Sequence, residues 1–338
     1  MPMQADEMIL DPQLPVIDTH HHLHDKSPAL HAMGRSGRFL IDEYAEMLQS
    51  GHRVVASVCV EARAMYRADG PEEMKPVGET EFLNGQAAMS ASGLYGPCRV
   101  GAGIVSNADL RLREKVESVL EAHLEAAPGR FRGIRQEAMW DEDSSIVGWL
   151  FKSGPQLYLR EDFRRGFAKL APLGLSFDAF VLSPQLADVE DLARSFPGTS
   201  IILNHLGNPV GIGRHKGRMA EEFPQWQKDI RAIANHPNVT VKLGGLGSFL
   251  SAFASFRANP PSSSQFIAEE WAPYVETAVE AFGADRCMFE SNLPTDETGA
   301  FATVCNAFKR MTQKCSESEK LAIFAGTAAR VYRLDVSF

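Results

Sequence analysis

The chain has 338 residues, 44% of them hydrophobic, enough for one large core of the size that a single α/β barrel uses. Its 34 basic and 43 acidic residues leave a net charge of −9 with no long run of either sign, which argues against nucleic acid or an anionic membrane as partner and for a small molecule. The start MPMQADEMILDPQLP lacks the features of a signal peptide, no segment reaches the ~18 apolar residues of a membrane span, and the five cysteines form no CxxC pair, so a reduced, cytoplasmic protein is expected.

In chain order, the first predicted strand is Val16 to Asp18, an apolar β-branched run after a proline. It leads into DTHHHLHD (residues 18 to 25), where four of the chain's ten histidines fall within five positions. Side chains alternate along a strand, so Asp18, His20 and His22 are expected on one face, with Thr19 and His21 on the other. A lone histidine more often caps a core or faces water; an HxH pair at a strand end is harder to set aside. Further strands are predicted at Val54 to Val60, Val100 to Ile104, Phe131 to Ile134, Leu175 to Val181, Ile201 to Leu203, Val239 to Leu243 and Cys287 to Glu290. Helical patterns alternate with them at Asp42 to Gln49, Glu79 to Ser92, Asp109 to Ala126, Asp162 to Leu170, Gln185 to Phe196, Ala220 to Asn235, Gln265 to Phe282 and Gly299 to Met311. Residues 66–80, rich in proline, glycine and charge, read as a long loop over the mouth, and Asn259 to Ser264 as a surface loop.

Eight β-then-α units predict a closed parallel (β/α)8 TIM barrel, with residues 1–338 as a single domain. An open doubly wound sheet is the alternative, but that fold more commonly carries a glycine fingerprint after its first strand, where this chain has histidines.

In a barrel, chemistry belongs at the carboxyl ends of the strands. The inward candidates there are His20 and His22 from strand one, Glu61 and Arg63 after strand two, Arg135 from strand four and His205 after strand six. Lys242 stands in a run too apolar for a surface lysine, and strand eight puts Glu290 and Asn292 on one face, with Asp296 just beyond. Lys242 and Glu290 are expected to pair inside the barrel, with Asp18 as a second carboxylate, because an unpaired buried charge is costly. For each arginine the plain alternative is a salt bridge at the rim.

VIDTHHHLHD, GIRQ, ILNHLGNPVG, VTVKLGGLG, DRCMFESNLPTD and FAGTAARVYRL occur in the order and spacing of the amidohydrolase superfamily. More narrowly, the chain resembles the amidohydrolase-2 branch, which includes lactonases acting on sugar lactones and on pyrone or muconolactone acids. The resemblance covers nearly the whole chain. It implies a (β/α)8 barrel, hydrolysis by an attacking water, and one divalent metal, zinc being the leading candidate, held by His20 and His22 with either His205 or Glu61 as third ligand. A metal-independent site is the alternative, since the branch includes such members.

Two departures from the superfamily pattern stand out. Ser183 lies near the place of the usual strand-five histidine, and Asn292 replaces the strand-eight aspartate that takes a proton from water. Asp296, four residues on, is then the expected general base, with a helix N-cap as its alternative role. The leading function is hydrolysis of a lactone or related cyclic or acyl bond in a small anionic substrate, whose carboxylate Arg63 and Arg135 hold through forked hydrogen bonds, with Lys242 as a further substrate-binding candidate, while the arginines also stabilise an oxyanion. Non-oxidative decarboxylation of an aromatic or unsaturated acid is the second reading, and a non-catalytic binding protein on the same barrel the third. Self-association into a homo-oligomer is compatible with all three.

Overall fold

The computed structural model describes residues 7–27, 31 and 37–338. Eight strands form one sheet in the order β1 to β8, every neighbouring pair parallel. They are β1 (Val16–His21), β2 (Val54–Val60), β3 (Arg99–Ser106), β4 (Phe131–Glu137), β5 (Ser176–Phe180), β6 (Ile201–Leu203), β7 (Val239–Lys242) and β8 (Cys287–Met288). The extended chain after β8 brings the ends of the sheet together: Asn292 donates its N–H to His20 O at 2.8 Å, His22 donates to Leu293 O at 2.8 Å, and His21 bridges Leu293 in parallel sense. This is the expected TIM barrel, and an open sheet is excluded.

Among the described residues a main helix follows each strand: α1 (Ile41–Leu48), α2 (Val77–Ala91), α3 (Val116–Ala126), α4 (Glu161–Phe167), α5 (Leu186–Ser195), α6 (Met219–Ala234), α7 (Ser264–Phe282) and α8 (Phe301–Met311), with shorter helical turns between them and at the carboxyl end. Their apolar stripes cover the outside of the barrel, as Leu186, Val189, Leu192 and Ala193 of α5 do. Inside, Ile17, Val58, Val105, Ile202 and Met288 fill the amino-terminal end, which Ala328 and Tyr332 of the carboxyl-terminal segment close. The polar side chains are thereby confined to the other end.

Three expectations need correction. The mouth loop at 66–80 is shorter than predicted, because α2 begins at Val77 and buries Glu79 and Thr80. The helix predicted from Asp109 begins at Val116, since Arg113 takes a left-handed φ of 60° and breaks the preceding turn. On β1 the register shifts between Asp18 and His21, so Asp18 leaves the face of His20. It accepts instead from Tyr44 Oη on α1 at 2.8 Å and from Ser291 N at 2.8 Å.

Candidate active site

The carboxyl ends of the strands converge on a cleft enclosing about 710 Å³, part of it open to solvent. Its polar lining includes His22, Glu61, Arg63, Arg135, His205 and Asn292, all singled out in the sequence. His20, Lys242 and Glu290 lie directly beneath, wholly buried. Asp296, also buried, lies outside this lining.

His205 reaches the cleft through an unusual turn: it, Leu206 and Asn208 all have positive φ, at 55°, 55° and 48°. That turn lays the imidazole against Gly245, where a Cβ would stand 2.2 Å from the ring. Only glycine allows this approach. His205 Nδ1 and Glu290 Oε1 are 2.9 Å apart, and His20 Nδ1 lies 3.2 Å from Glu290 Oε2.

Among the described residues, the ligand-type atoms of His20, His205 and Glu290 lie within 4.8 Å of one another. This group holds the expected His20 and His205, while His22 and the alternative third ligand Glu61 are outside it. His22 stands edge-on to His20, with ring centroids 4.9 Å apart. Its Nδ1 is 3.0 Å from Val60 O, a carbonyl that can only accept, so Nδ1 carries the proton and Nε2 has the lone pair. His21, on the opposite face as alternation predicts, stacks on Tyr44 and bonds Ser57 Oγ at 2.8 Å; its role is packing.

The interior cations Arg135 and Lys242 are each matched by a carboxylate. Arg135 donates Nε to Glu61 Oε1 at 2.7 Å and Nη2 to Glu61 O at 2.6 Å, while its Nη1 lies 3.2 Å from His20 Nε2. Its fork is thus turned onto Glu61, which leaves it unavailable for the substrate carboxylate expected there. Lys242 bonds Asp178 Oδ2 at 2.7 Å, not Glu290. Burial holds all three imidazoles, His20, His22 and His205, well below the usual histidine range, and the charges of Lys242 on His20 and of Arg135 on the other two add to it. Burial also pushes Glu290 up to about 8, although the Lys242 charge opposes the shift.

Arg63 pairs with Glu137, lies 5.1 Å over the Phe151 ring, and keeps 30% of its side chain exposed, so the rim salt bridge and the cleft lining are both realised. Asp296 caps no helix: α8 is preceded by Ala300. Its Oδ1 accepts from Asn292 Nδ2 at 2.7 Å and its Oδ2 from Gly247 N at 2.9 Å, so it orients Asn292 and does not reach over the cleft as a base.

The sequence reading passed over three residues. Asp178, a lone charge in the apolar run LSFDAFVL, carries the same signal that picked out Lys242. Phe180, the last residue of β5, lines the cleft; its ring is 5.7 Å from His205 and 4.6 Å from the Arg135 guanidinium. Ser183 instead sits in the turn after β5 and donates its N–H to Asn208 O at 3.1 Å. Glu79 accepts from Ala62 N at 2.7 Å and Ala64 N at 3.1 Å, fixing the segment that carries Arg63; no local signal distinguishes it from other helix glutamates.

A parallel barrel with imidazoles and carboxylates at the carboxyl ends of its strands defines a class of barrel hydrolases. The amidohydrolase family model matches residues 17–334, and the chain belongs to that family. The uncharacterized protein y4mH of Sinorhizobium fredii is 34% identical over 273 residues, 80% of each chain. An L-fucono-1,5-lactonase of Burkholderia multivorans is 26% identical, over 94% of this chain and 96% of its own. A crystal structure of a B. multivorans amidohydrolase with bound zinc superposes with a TM-score of 0.70 at 25% identity, covering 94% of this chain and 99% of that one. Family and relatives together support a hydrolase. No helix among the described residues is long and apolar enough to cross a membrane.

Proposed function

We propose that this protein hydrolyses a lactone in a small molecule bound over Glu61, Arg135 and His205. The observation that carries the reading is Glu61. Its Oε1 is fixed by Arg135, while its buried Oε2 has no hydrogen-bond partner and lies in the cleft lining. A carboxylate held by one oxygen and free at the other is placed to take a proton from an attacking water. Glu61 therefore replaces Asp296 as the proposed base. Arg135, behind it, supplies positive charge near the oxyanion that develops at the carbonyl. Ser248 Oγ, another buried lining atom without a partner, is available to donate to the carbonyl or ring oxygen. Arg63, shared with Glu137 at the rim, is the cation left to receive a substrate carboxylate.

The residues present fit a divalent metal. Two interior cations are each matched by a carboxylate, Arg135 by Glu61 and Lys242 by Asp178. Glu290 has no ion-pair partner of its own: its side chain contacts the imidazoles of His20 and His205 and the Gly244 main chain, with the Lys242 charge nearby, and its Oε2 is buried without a hydrogen bond. Neutral imidazoles and a carboxylate lacking its own cation are a donor set for zinc, the ion bound in the B. multivorans relative. His20, His205 and Glu290 would hold it, and the chemistry it supplies when bound is polarisation of the carbonyl oxygen. Arg135, whose Nη1 touches His20 Nε2, is held by Glu61 through its other two nitrogens and so does not depend on that contact.

The test is a pH-indicator assay on a lactone panel with product masses. Opening adds one water and releases a proton. Loss of carbon dioxide from an aromatic acid, with no lactone opened, would overturn this reading in favour of a decarboxylase.

A further inference from the structure

The cleft is walled by Met139, Leu150, Phe151, Phe180, Phe249 and Leu250. These six side chains come from the segments after β4 and β7 and from the end of β5, and face the polar residues across the cavity. Trp149, 45% exposed and 6.4 Å from the Phe249 ring, extends the apolar wall to the rim. Met139, Leu182, Val210 and Leu250 belong to one packed apolar cluster with Phe151, Phe180 and Phe249 against it, so the wall is held in place from behind.

The polar atoms of the cleft are largely committed to one another. Arg135 is spent on Glu61, Asn208 donates Nδ2 to Val181 O at 2.8 Å, and Asn292 gives its Nδ2 to Asp296. The lining atoms left buried and unpartnered are Glu61 Oε2, Ser248 Oγ and Asn292 Oδ1, and the other polar lining groups include His22, Arg63, His205 and Thr295. A ring that bears several hydroxyls would still set some of them against the apolar wall, where each costs on the order of a hundredfold in selectivity.

We infer that the substrate is a lactone whose body is apolar and ring-bearing, an aryl-fused or aryl-substituted lactone, and not a polyhydroxylated sugar lactone. This rests on the hydrolase reading above for the reaction, but on the wall alone for the selectivity. In such a complex the lactone carbonyl meets Ser248, with the Arg135 charge nearby, while the aryl ring lies among Phe151, Phe180 and Phe249. The ester C–O bond breaks, the water oxygen joins the acyl carbon, and the water's two protons go to the base and to the leaving phenol or alcohol.

The experiment compares 3,4-dihydrocoumarin with L-fucono-1,5-lactone for turnover, and the corresponding δ-lactams, which bind without being opened, by calorimetry on the full-length protein with added zinc. The expected result is a kcat/KM at least about a hundredfold higher for the aryl lactone, and a tenfold tighter Kd for the aryl lactam. Phe249→Ala should lower the aryl preference by about tenfold, the value of a lost aromatic contact. Aryl-lactam preference with neither lactone opened upholds the inference and removes the hydrolase reading. Preference for the fucono compounds, lactam affinities within threefold, or no binding of the aryl lactam each overturns the inference, and turnover of the fucono lactone then leaves the hydrolase reading intact.

Discussion

Lys242 Nζ on β7 lies 2.7 Å from Asp178 Oδ2 on β5, both side chains wholly buried beneath the candidate active site. The lysine also approaches His20 Nδ1 at 3.3 Å, and the aspartate is held further by Tyr332 Oη at 3.0 Å and Asn204 Nδ2 at 3.0 Å. The pair thus ties three strands and the carboxyl-terminal segment into one floor. It neutralises the lysine without using Glu290, which is why Glu290 remains for the imidazoles.

Removing the lysine strands a buried carboxylate. Lys242→Met should destabilise by about 3 to 5 kcal/mol in denaturant unfolding, and the double change with Asp178→Asn should cost less than Lys242→Met alone. The coupling energy with Asp178 should exceed that with Glu290→Gln in parallel cycles. Equal couplings would mean that the lysine is shared between both carboxylates.

Arg135→Lys keeps the charge but loses the fork that grips Glu61 through both a side-chain and a main-chain oxygen. With Glu61 released, kcat/KM on an opened lactone should fall by about tenfold or more, equivalent to roughly 1.4 kcal/mol. Glu61→Gln should lower kcat by about 10² to 10⁴ while leaving the fold intact by circular dichroism. Retention of kcat within threefold in Glu61→Gln removes it as the base and moves that role to His205.

Glu79 provides a pH signature away from the imidazoles. Burial first, and the Glu61 charge second, raise it from the ordinary 4.5 to about 8, against the pull of the Ala62 and Ala64 N–H groups. Between those values the native state holds a proton that the unfolded chain has released, so this contribution is full at low pH and is lost as pH rises through the window. Its slope is at most about 1.4 kcal/mol per pH unit. Glu79→Gln should abolish that slope, so the variant gains on the wild type toward pH 8; parallel stability curves across the window would show an ionised glutamate.

Metal content tests the cluster directly. Elemental analysis of zinc-loaded, desalted protein should find one ion per chain, lost in the His20→Ala, His205→Ala double variant and retained in His22→Ala. Loss in His22→Ala to the same extent would return His22 to the ligand set. Full activity of chelator-treated protein would falsify a metal-dependent reaction.

What the sequence determined by itself was local and periodic. Eight apolar runs alternating with amphipathic helices specify a barrel, and strand alternation correctly put His20 inward and His21 outward, because both rules depend only on residues close in the chain. The lone charge of Lys242 in an apolar run likewise announced a buried partner. Which partner it has depends on register across the sheet: Asp178 is level with Ile202 and, through it, with Thr240 in the ladders, so Lys242, two residues further along β7, has its side chain within reach of the aspartate. The tertiary structure alone decided that a shift in β1 takes Asp18 out of the interior, and that Arg135 spends its fork on Glu61. It also put Phe180 against His205 and Arg135 and turned Asp296 toward Asn292. In each case the outcome hangs on contacts between distant segments, whose geometry is set when the barrel closes and side chains compete for the same few buried partners.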